Sequence, residues 1–332
     1  MKKILTCLLA LLLILVPCLG CTKPSDDGLK TVRLNEVTHS VFYAPLYVAM
    51  EKGYFAEQGI KIELTNGGGA DKSMTAVISG HADVGLMGPE AAIYVYNEGR
   101  RDYPVIFGGL TTKDGSFLMS RTQSEDFLWT DIIGKEVIGG RRGGAPAMAL
   151  ESALKKNGLV DGTNFTLRYD IEFNLITPSF ESGVGDYCTM FEPAASNFVR
   201  EGKGYIVASV GAEAGEMPFT AFMATKSYLE KNEDLMKGFL TAIKKGMDYV
   251  RTTDDRTVAE LIAPHFAGTD VELIEASVKN YKAIEAFAYT PVIEEDAFNA
   301  LQDVIIAAGE LDARAPYSVL LDMRLAHEVS EV

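Results

Sequence analysis

The feature of this sequence that most constrains its fold is a regular alternation of short strand-like and helix-like segments over residues 31–201. Residues 31–37 alternate apolar and polar side chains as a half-buried strand does, and residues 44–58 have the apolar spacing of a helix. Pro45 suits the first turn of this helix, and Gly59 suits its C-terminal end. Repeated strand–helix units of this length predict an α/β protein with parallel sheets that carry helices on both faces.

The rest of the chain extends this pattern. Further strands are predicted over residues 61–64, 83–87, 104–109, 136–139, 165–168 and 186–191. Further helices are predicted over residues 71–79, 91–98, 147–157, 179–182 and 194–201. After residue 229 we expect mostly helix, over residues 234–251, 257–264, 271–281, 294–308 and 318–329.

The first 21 residues predict export. Lys2 and Lys3 form a basic start, and the apolar run over residues 4–16 is too short to span a bilayer as a permanent helix, which indicates a signal peptide over residues 1–20. The ending Gly20-Cys21 resembles the bacterial lipobox, in which the cysteine is acylated, although Cys18 stands where a lipobox usually has leucine.

We therefore expect an exported bacterial protein that is extracytoplasmic and lipid-anchored to the cell membrane at Cys21, its lipidation site, through a tether over residues 21–30. Ordinary secretion with Cys21 unmodified is the alternative.

The composition opposes several classes of function. The predicted leader carries two of the 31 basic residues and none of the 46 acidic ones, so the rest of the chain has a formal charge of −17. This charge opposes binding to nucleic acid or to an anionic membrane surface, because both need a basic patch. Cys188 is the one cysteine beyond residue 21, and the four histidines are scattered. We expect no internal disulfide, no metal site and no cofactor.

Three loops combine residue types that suit ligand binding, and each opens a predicted helix. They are residues 37–45, residues 67–70 with 87–89, and residues 139–146. Open parallel sheets bind ligands at the edge where strands pass into helices, because helix N-termini offer free N–H groups there. The third loop has neither the Gly-Lys-Ser/Thr end of a phosphate-binding P-loop nor the spacing of a dinucleotide fingerprint.

The order of short motifs along the chain resembles a known family. Residues 43–46 read Tyr-Ala-Pro-Leu, residues 51–55 read Glu-Lys-Gly-Tyr-Phe, and residues 78–85 read Ile-Ser-Gly-His-Ala-Asp-Val-Gly. Residues 129–137 read Trp-Thr-Asp-Ile-Ile-Gly-Lys-Glu-Val. This series is similar to type II substrate-binding proteins of ABC importers, in the branch typified by thiamine-pyrimidine precursors, aliphatic sulfonates, taurine and nitrate. The likeness covers about residues 31–252.

The resemblance implies a two-lobed, periplasmic-binding-protein-like (type II) α/β fold with the ligand cleft between the lobes. Lobe one is then expected over residues 31–115 and 217–332, and lobe two over residues 116–216. We expect the chain to cross between them near residues 109–121 and 216–225. The resemblance also implies a monomer whose partners are a small-molecule ligand, an ABC permease and the permease's ATPase subunit.

Candidate ligand-binding residues lie in these loops. Phe42 and Tyr43 can stack on a flat ligand, and His39 can donate or accept a hydrogen bond. Packing of Phe42 or Tyr43 beneath the first helix is the alternative. Glu192 follows a predicted strand, and its carboxylate suits an amino or ring N–H group such as that of an aminopyrimidine. A solvent-facing charge that stabilises the next helix is the alternative for Glu192.

The glycine-containing loops supply the other candidates. Gly68, Gly69 and Gly88 allow a ligand to approach the backbone closely, or serve only tight turns. Arg142 and Gly144 lie in the loop 139–146, which opens the helix predicted over residues 147–157, and a guanidinium and free N–H groups there can hold an anionic group. A pair of solvated arginines is the alternative there.

These features predict an extracytoplasmic solute-binding component of an ABC importer that captures a small molecule, for which a thiamine-pyrimidine-type nitrogen heterocycle is the first choice. An aliphatic sulfonate, taurine or nitrate is the alternative ligand. A pyrimidine-precursor synthase-like enzyme on the same fold is the alternative of another class. Those enzymes use a cysteine-rich segment where this chain has Cys188 alone, so we expect a protein that is not an enzyme. A sensor's receptor lobe or an adhesion factor is also open.

Overall fold

The computed structural model describes residues 28–331. The predicted signal peptide, Cys21 and residues 22–27 of the predicted tether lie outside the described residues. The strands are β1 Lys30–Glu36, β2 Ile60–Asn66, β3 Val84–Met87, β4 Pro104–Thr111, β5 Phe117–Ser120, β6 Glu136–Ile138, β7 Thr166–Arg168, β8 Tyr187–Met190, β9 Tyr205–Ser209 and β10 Thr220–Thr225.

Helices cover the strands and form the C-terminal part of the chain. Between β1 and α7 they are α1 Ala44–Glu51, α2 Tyr54–Glu57, α3 Ala70–Ile78, α4 Glu90–Asn97, α5 Ala145–Lys156, α6 Ile176–Glu181 and α7 Ala194–Arg200. The later ones are α8 Val210–Ala214, α9 Lys226–Lys231, α10 Glu233–Thr252, α11 Asp255–Ile262, α12 Val271–Ala283, α13 Glu295–Ala307, α14 Tyr317–Leu320 and α15 Arg324–Ser330. Within residues 28–331, no helix is both long and apolar enough to span a membrane.

The strands form two five-stranded sheets, and each sheet is the centre of one lobe. The first has the order β2-β1-β3-β10-β4, and the second has the order β7-β6-β8-β5-β9. The chain passes from the first sheet to the second between β4 and β5, and it returns between β9 and β10. The helices after β10 go back to the first lobe, where α10 packs on α1 and α2. This is the predicted α/β fold of two lobes.

The prediction of parallel sheets is wrong for one strand in each sheet. β10 runs antiparallel to β3 and β4, and β5 runs antiparallel to β8 and β9. These two strands are the ones that enter a sheet directly after the chain has crossed from the other lobe. A strand that arrives without a helical crossover is free to run against its neighbours, because only the right-handed strand–helix–strand unit requires parallel pairing.

Two predicted helices are each divided in two. The helix predicted over residues 44–58 ends at Glu51, because Gly53 adopts a left-handed conformation with φ of 72° that terminates α1 before α2 begins. The helix predicted over residues 318–329 is divided into α14 and α15. Leu321, between them, is extended and makes a parallel bridge to Ile106 on the edge strand β4. This pairing partly covers an otherwise open sheet edge.

An aromatic cluster lies where the two lobes meet. Phe42 is fully buried, and its ring centroid is 4.9 Å from that of Tyr281 on α12 and 5.6 Å from that of Phe191, which follows β8. The ring of Phe219, on the crossing before β10, is 5.9 Å away. Gly115, on the other crossing, has no room for a Cβ because the Phe42 ring lies against it. Phe42 therefore packs against both lobes and both crossings.

We predict that Phe42→Ala destabilises the protein strongly. Removing a fully buried ring and leaving a cavity typically costs about 3–5 kcal/mol. Chemical denaturation of the variant and the wild type measures the difference, and Tyr289→Ala is the control because Tyr289 is 56 % exposed. A loss no larger than that of Tyr289→Ala would show that the cluster does not hold the lobes together.

Candidate functional site

A cavity of about 240 Å³ lies between the lobes. Its walls come from segments that directly follow strands of both sheets: residues 37, 38 and 43 after β1, 68–72 after β2, 88 and 90 after β3, 139–141 and 144–147 after β6, 169–173 after β7, and 191 after β8. The predicted edge of the sheets, where strands pass into helices, is therefore the edge that lines the cavity. The two lobes present these edges to each other.

Aromatic side chains form much of the wall. Tyr43 belongs to the first lobe, Phe219 to the second crossing, and Tyr169, Phe173 and Phe191 to the second lobe. Burial raises the pKa of Tyr43 well above its usual range, so its phenol is neutral at physiological pH. A small cavity with several aromatic faces suits a flat or apolar ligand body.

Glu90 is a buried carboxylate in the cavity wall. It begins α4 and is 1 % exposed. Its Oε1 accepts a hydrogen bond of 3.2 Å from the backbone N–H of Ala145, at the start of α5 in the other lobe. Its Oε2 is buried and has no hydrogen-bond partner within residues 28–331. Burial raises the pKa of Glu90 to about 7, although the backbone N–H groups of Ala145 and of Glu90 itself and the nearby Arg141 act in the opposite direction.

The predicted glycines all line the cavity, and one of them has an additional role. Gly68 and Gly69 precede α3, and Gly144 precedes α5. Gly88 lies directly beneath the carboxylate of Glu90, and a Cβ at this position would overlap Glu90 Oε2 and Cδ. Gly88 therefore leaves the space in which the Glu90 side chain folds back over the loop.

His39 does not line this cavity and lies beside a smaller neighbouring pocket of about 150 Å³. Its Nδ1 is 2.6 Å from Glu36 Oε1, and its Nε2 is 2.7 Å from the carbonyl oxygen of His265. A carbonyl and an ionised carboxylate only accept, so both hydrogen bonds are satisfied when both ring nitrogens donate, which assigns His39 as the imidazolium. The hydrogen bond to Glu36, which also accepts from the Tyr47 hydroxyl, raises the pKa of His39.

Glu192 also lies away from the cavity wall, although it is 1 % exposed. Its carboxylate accepts hydrogen bonds from the hydroxyl and the backbone N–H of Ser196 and from Asn280 Nδ2 on α12, at 2.6–2.9 Å. Its carbonyl accepts from Ser40 Oγ, and its backbone N–H donates to the Tyr281 hydroxyl. These bonds occupy both carboxylate oxygens and join the lobes. Phe42, packed as described above, is likewise outside the wall.

The two neighbouring arginines of the third loop differ in position. Arg141 lines the cavity, whereas the guanidinium of Arg142 lies over the ring of Tyr169, 3.8 Å from its centroid, and outside the lining. The charged residues of the lining are Asp71, Lys72, Glu90, Arg141, Asp170 and Glu172. Four of the six are acidic, so the lining has no excess of positive charge.

The described residues hold no cluster of metal ligands, and their cysteine is buried. No group of three or more His, Cys, Asp or Glu side chains in residues 28–331 is arranged to hold a metal ion. Cys188, on β8, is buried, and burial raises the pKa of its thiol well above the usual range. A buried neutral thiol is a poor nucleophile.

Sequence reasoning placed Tyr43, Gly68, Gly69, Gly88 and Gly144 in the loops that form the cavity. It did not single out Glu90, Arg141 or the aromatic residues after β7. The sequence did contain a signal for Glu90. This residue directly follows the Met-Gly-Pro turn after a predicted strand, and the other candidate loops also follow predicted strands. Whether the predicted residues contact a ligand stays a prediction.

Comparisons with known proteins agree with this architecture. The family model described as "NMT1/THI5 like" matches residues 41–256. The chain is 39 % identical to "Putative binding protein YtlA" of Bacillus subtilis over 305 residues, 92 % of this chain and 91 % of that protein. It is 26 % identical to the 4-amino-5-hydroxymethyl-2-methylpyrimidine phosphate synthase of Aspergillus parasiticus, over 75 % of this chain and 72 % of the synthase.

Among solved structures, the chain is similar to the alkanesulfonate-binding protein SsuA of Xanthomonas axonopodis pv. citri. The TM-score is 0.70 and the sequences are 16 % identical, over 88 % of this chain and 98 % of that one. At this identity the likeness shows the shared fold, a two-lobed periplasmic-binding-protein-like fold, and leaves the ligand open.

We predict that His39 stabilises the protein in a pH-dependent way. Its folded-state pKa is raised, so its stabilising effect is fully present below the unfolded-state pKa of about 6.5 and is lost as the pH rises through the folded-state pKa. His39→Gln should therefore lower the free energy of unfolding more at about pH 5.5 than at about pH 8.5. Urea denaturation across this range measures the effect, with the exposed His327→Gln as control. A pH-independent difference would contradict the imidazolium assignment.

Proposed function

The chain belongs to the NMT1/THI5-like family, and from this premise we propose that it is the extracytoplasmic solute-binding component of an ABC importer. It captures a small molecule between its lobes and delivers it to a permease and the permease's ATPase subunit. The 39 % identical relative is a putative binding protein, which supports binding rather than catalysis.

We also propose that lobe one comprises residues 31–115 and 217–332 and lobe two residues 116–216, and that the protein is a monomer.

The observation that carries the proposal is a cavity enclosed by both lobes and bordered by hydrogen bonds between them. Tyr94 on α4 donates to the carbonyl of Gly143 at 2.9 Å, and Ala145 of the second lobe donates to Glu90 of the first. Such bonds form only when the lobes are together. A ligand that touches both walls favours this closed arrangement, because only a difference in affinity between the two states can shift their equilibrium.

The cavity supports a small flat nitrogen heterocycle of the thiamine-pyrimidine type as ligand. Its volume of about 240 Å³ is slightly below the roughly 300–1,000 Å³ of typical ligand pockets, which suits a small ligand such as one ring with short substituents. Tyr43, Phe191 and Phe219 offer faces for such a ring. We propose Tyr43, Gly68, Gly69, Gly88 and Gly144 as contacts, joined by Glu90 and Arg141 from the structure, whereas His39, Phe42, Arg142 and Glu192 support the walls from behind.

One observation favours an aliphatic sulfonate, taurine or nitrate instead. Arg141 lines the cavity and carries a guanidinium that suits oxyanions. A second feature opposes an anion. The N-terminus of α5, which the sequence indicates as an anion site, is already occupied, because the Ala145 N–H donates to Glu90. We therefore keep the anion as the second candidate.

An enzymatic function is less well supported. The synthases among the relatives are only about a quarter identical to this chain. The buried thiol of Cys188 and the absence of a paired nucleophile and base in the described part of the cavity wall favour recognition without bond breaking.

We predict that 4-amino-5-hydroxymethyl-2-methylpyrimidine raises the melting temperature of the purified protein. Binding stabilises the native state by RT ln(1 + [L]/Kd), roughly 2.7 kcal/mol at a ligand concentration of 100 Kd. A thermal-shift screen should include this pyrimidine, taurine, an alkyl sulfonate and nitrate. A shift with the sulfonates alone would reject the heterocycle, and turnover of a substrate without stable binding would reject the receptor function.

We propose lipidation of Cys21 and predict that Cys21→Ser releases the protein from membranes. The thioether-linked lipid would be lost, and the described part of the chain has no helix that could replace the anchor. Fractionation of cells that express the variant or the wild type measures this. Ser25→Ala, in the predicted tether, is the control, and membrane association that survives Cys21→Ser would contradict lipidation.

A further inference from the structure

Glu90 is an unusual group for the wall of a small cavity. It is 1 % exposed, and of its two carboxylate oxygens only Oε1 accepts a hydrogen bond from another residue, the Ala145 N–H. Oε2 has none within the described residues. A buried carboxylate with an unpaired oxygen destabilises the folded protein, so a favourable partner should be supplied by whatever fills the cavity. Native proteins keep such groups mainly where function requires them.

The surrounding chain is built to hold this carboxylate in place. A Cβ at position 88 would overlap Glu90 Oε2. The turn after β3 therefore needs glycine at this position for the Glu90 side chain to fold back over it. Ala145 fixes the other oxygen at the N-terminus of α5, where the helix dipole favours negative charge. The direction of the free oxygen is therefore set by the fold.

The missing partner is a hydrogen-bond donor. An ionised carboxylate only accepts hydrogen bonds, and so do the oxygens of sulfonate and nitrate. A carboxylate and one of these anions therefore repel each other in a cavity of low dielectric constant. An amino group or a protonated ring nitrogen supplies the N–H that Oε2 lacks. A charge-assisted hydrogen bond of this kind is about twice as strong as a neutral one.

We propose that Glu90 determines the specificity of the cleft, by accepting an N–H from a neutral or cationic amino-substituted nitrogen heterocycle at Oε2 while Oε1 holds the second lobe through Ala145. The same carboxylate then recognises the ligand and joins the closed lobes. A donor at Oε2 keeps Glu90 ionised, and an ionised carboxylate accepts more strongly from Ala145. The proposal rests on the binding function proposed above and adds the chemical group that selects the ligand.

The pH dependence follows from the groups around the carboxylate. Those facing it are Tyr43 from the turn before α1, Tyr94 on α4, and Arg141 from the second lobe, with Glu310 near Tyr94. Burial keeps the pKa of both tyrosines above their usual range, so they stay neutral. Since burial also raises the pKa of Glu90 to about 7, the carboxylate form increases from pH 5.5 to 8.5, and affinity for a donor ligand should rise over the same range.

Calorimetric titration of the purified protein tests the proposal. The ligands are 4-amino-5-hydroxymethyl-2-methylpyrimidine, its analogue with hydrogen in place of the amino group, taurine, methanesulfonate and nitrate. Glu90→Gln keeps the shape and the acceptor for Ala145 but replaces Oε2 by an NH₂ donor. We expect this variant to bind the aminopyrimidine roughly 10–100-fold more weakly and to lose the increase of affinity with pH. The affinities of the wild type and of Glu90→Gln for the analogue without the amino group should differ much less.

Two controls separate this effect from damage to the fold. Glu98→Gln removes an exposed carboxylate at the end of the same helix and should leave the affinity unchanged. Glu90→Gln should melt at a higher temperature than the wild type at pH 8 and close to it at pH 4.5, because the buried charge destabilises the ligand-free wild type only when ionised.

Three outcomes have distinct meanings. Equal aminopyrimidine affinity of Glu90→Gln and wild type, or an affinity that falls with rising pH, overturns the role of Glu90 and leaves the binding function standing. Tighter binding of methanesulfonate or nitrate, which have no N–H, to the wild type than to Glu90→Gln also overturns it. Binding of none of the compounds to the wild type rejects the proposed ligand class, and the specificity assignment with it.

Discussion

The packing of Phe42 is the interaction on which the rest of the structure depends. Its buried ring contacts Tyr281 near the C-terminal end of α12, Phe191 after β8 in the second lobe, and both crossings of the chain. Tyr43, the next residue, is thereby held in the cavity wall. Because the ring lies at the junction, the cavity edges of the two sheets are fixed opposite each other by apolar packing, and the polar groups of the cleft are left for recognition.

Two buried carboxylates bridge the lobes, and their different hydrogen bonding separates a structural role from a functional one. Glu192 has donors on both oxygens, from Ser196 and Asn280, so the protein itself satisfies its hydrogen bonds. Glu90 has a donor from another residue on one oxygen only, and the other oxygen is buried in the wall of a cavity large enough for a small ring. A fully satisfied buried charge has no requirement for a ligand, whereas a half-satisfied one does.

The crossings explain why the sheets are mixed. Each lobe receives its antiparallel strand, β10 or β5, from a chain segment that comes directly from the other lobe. Sequence periodicity detects that a segment is a strand, but the direction in which it pairs depends on where the previous element ended. The same limit applies to Leu321, which interrupts a helical pattern because the open edge of β4 is beside it.

By itself, the sequence determined the α/β class, most strand and helix positions, and the loops that form the cavity, because periodicity, helix-capping residues and glycine turns are local signals. Tyr43, Gly68 and Gly144 were located in this way. The tertiary structure alone decided that His39 and Glu192 bond to protein groups, and that Glu90 keeps a free oxygen. A side chain's partners come from distant parts of the chain, so the sequence can place a carboxylate in a loop but only the packed fold decides whether its hydrogen bonds are already used.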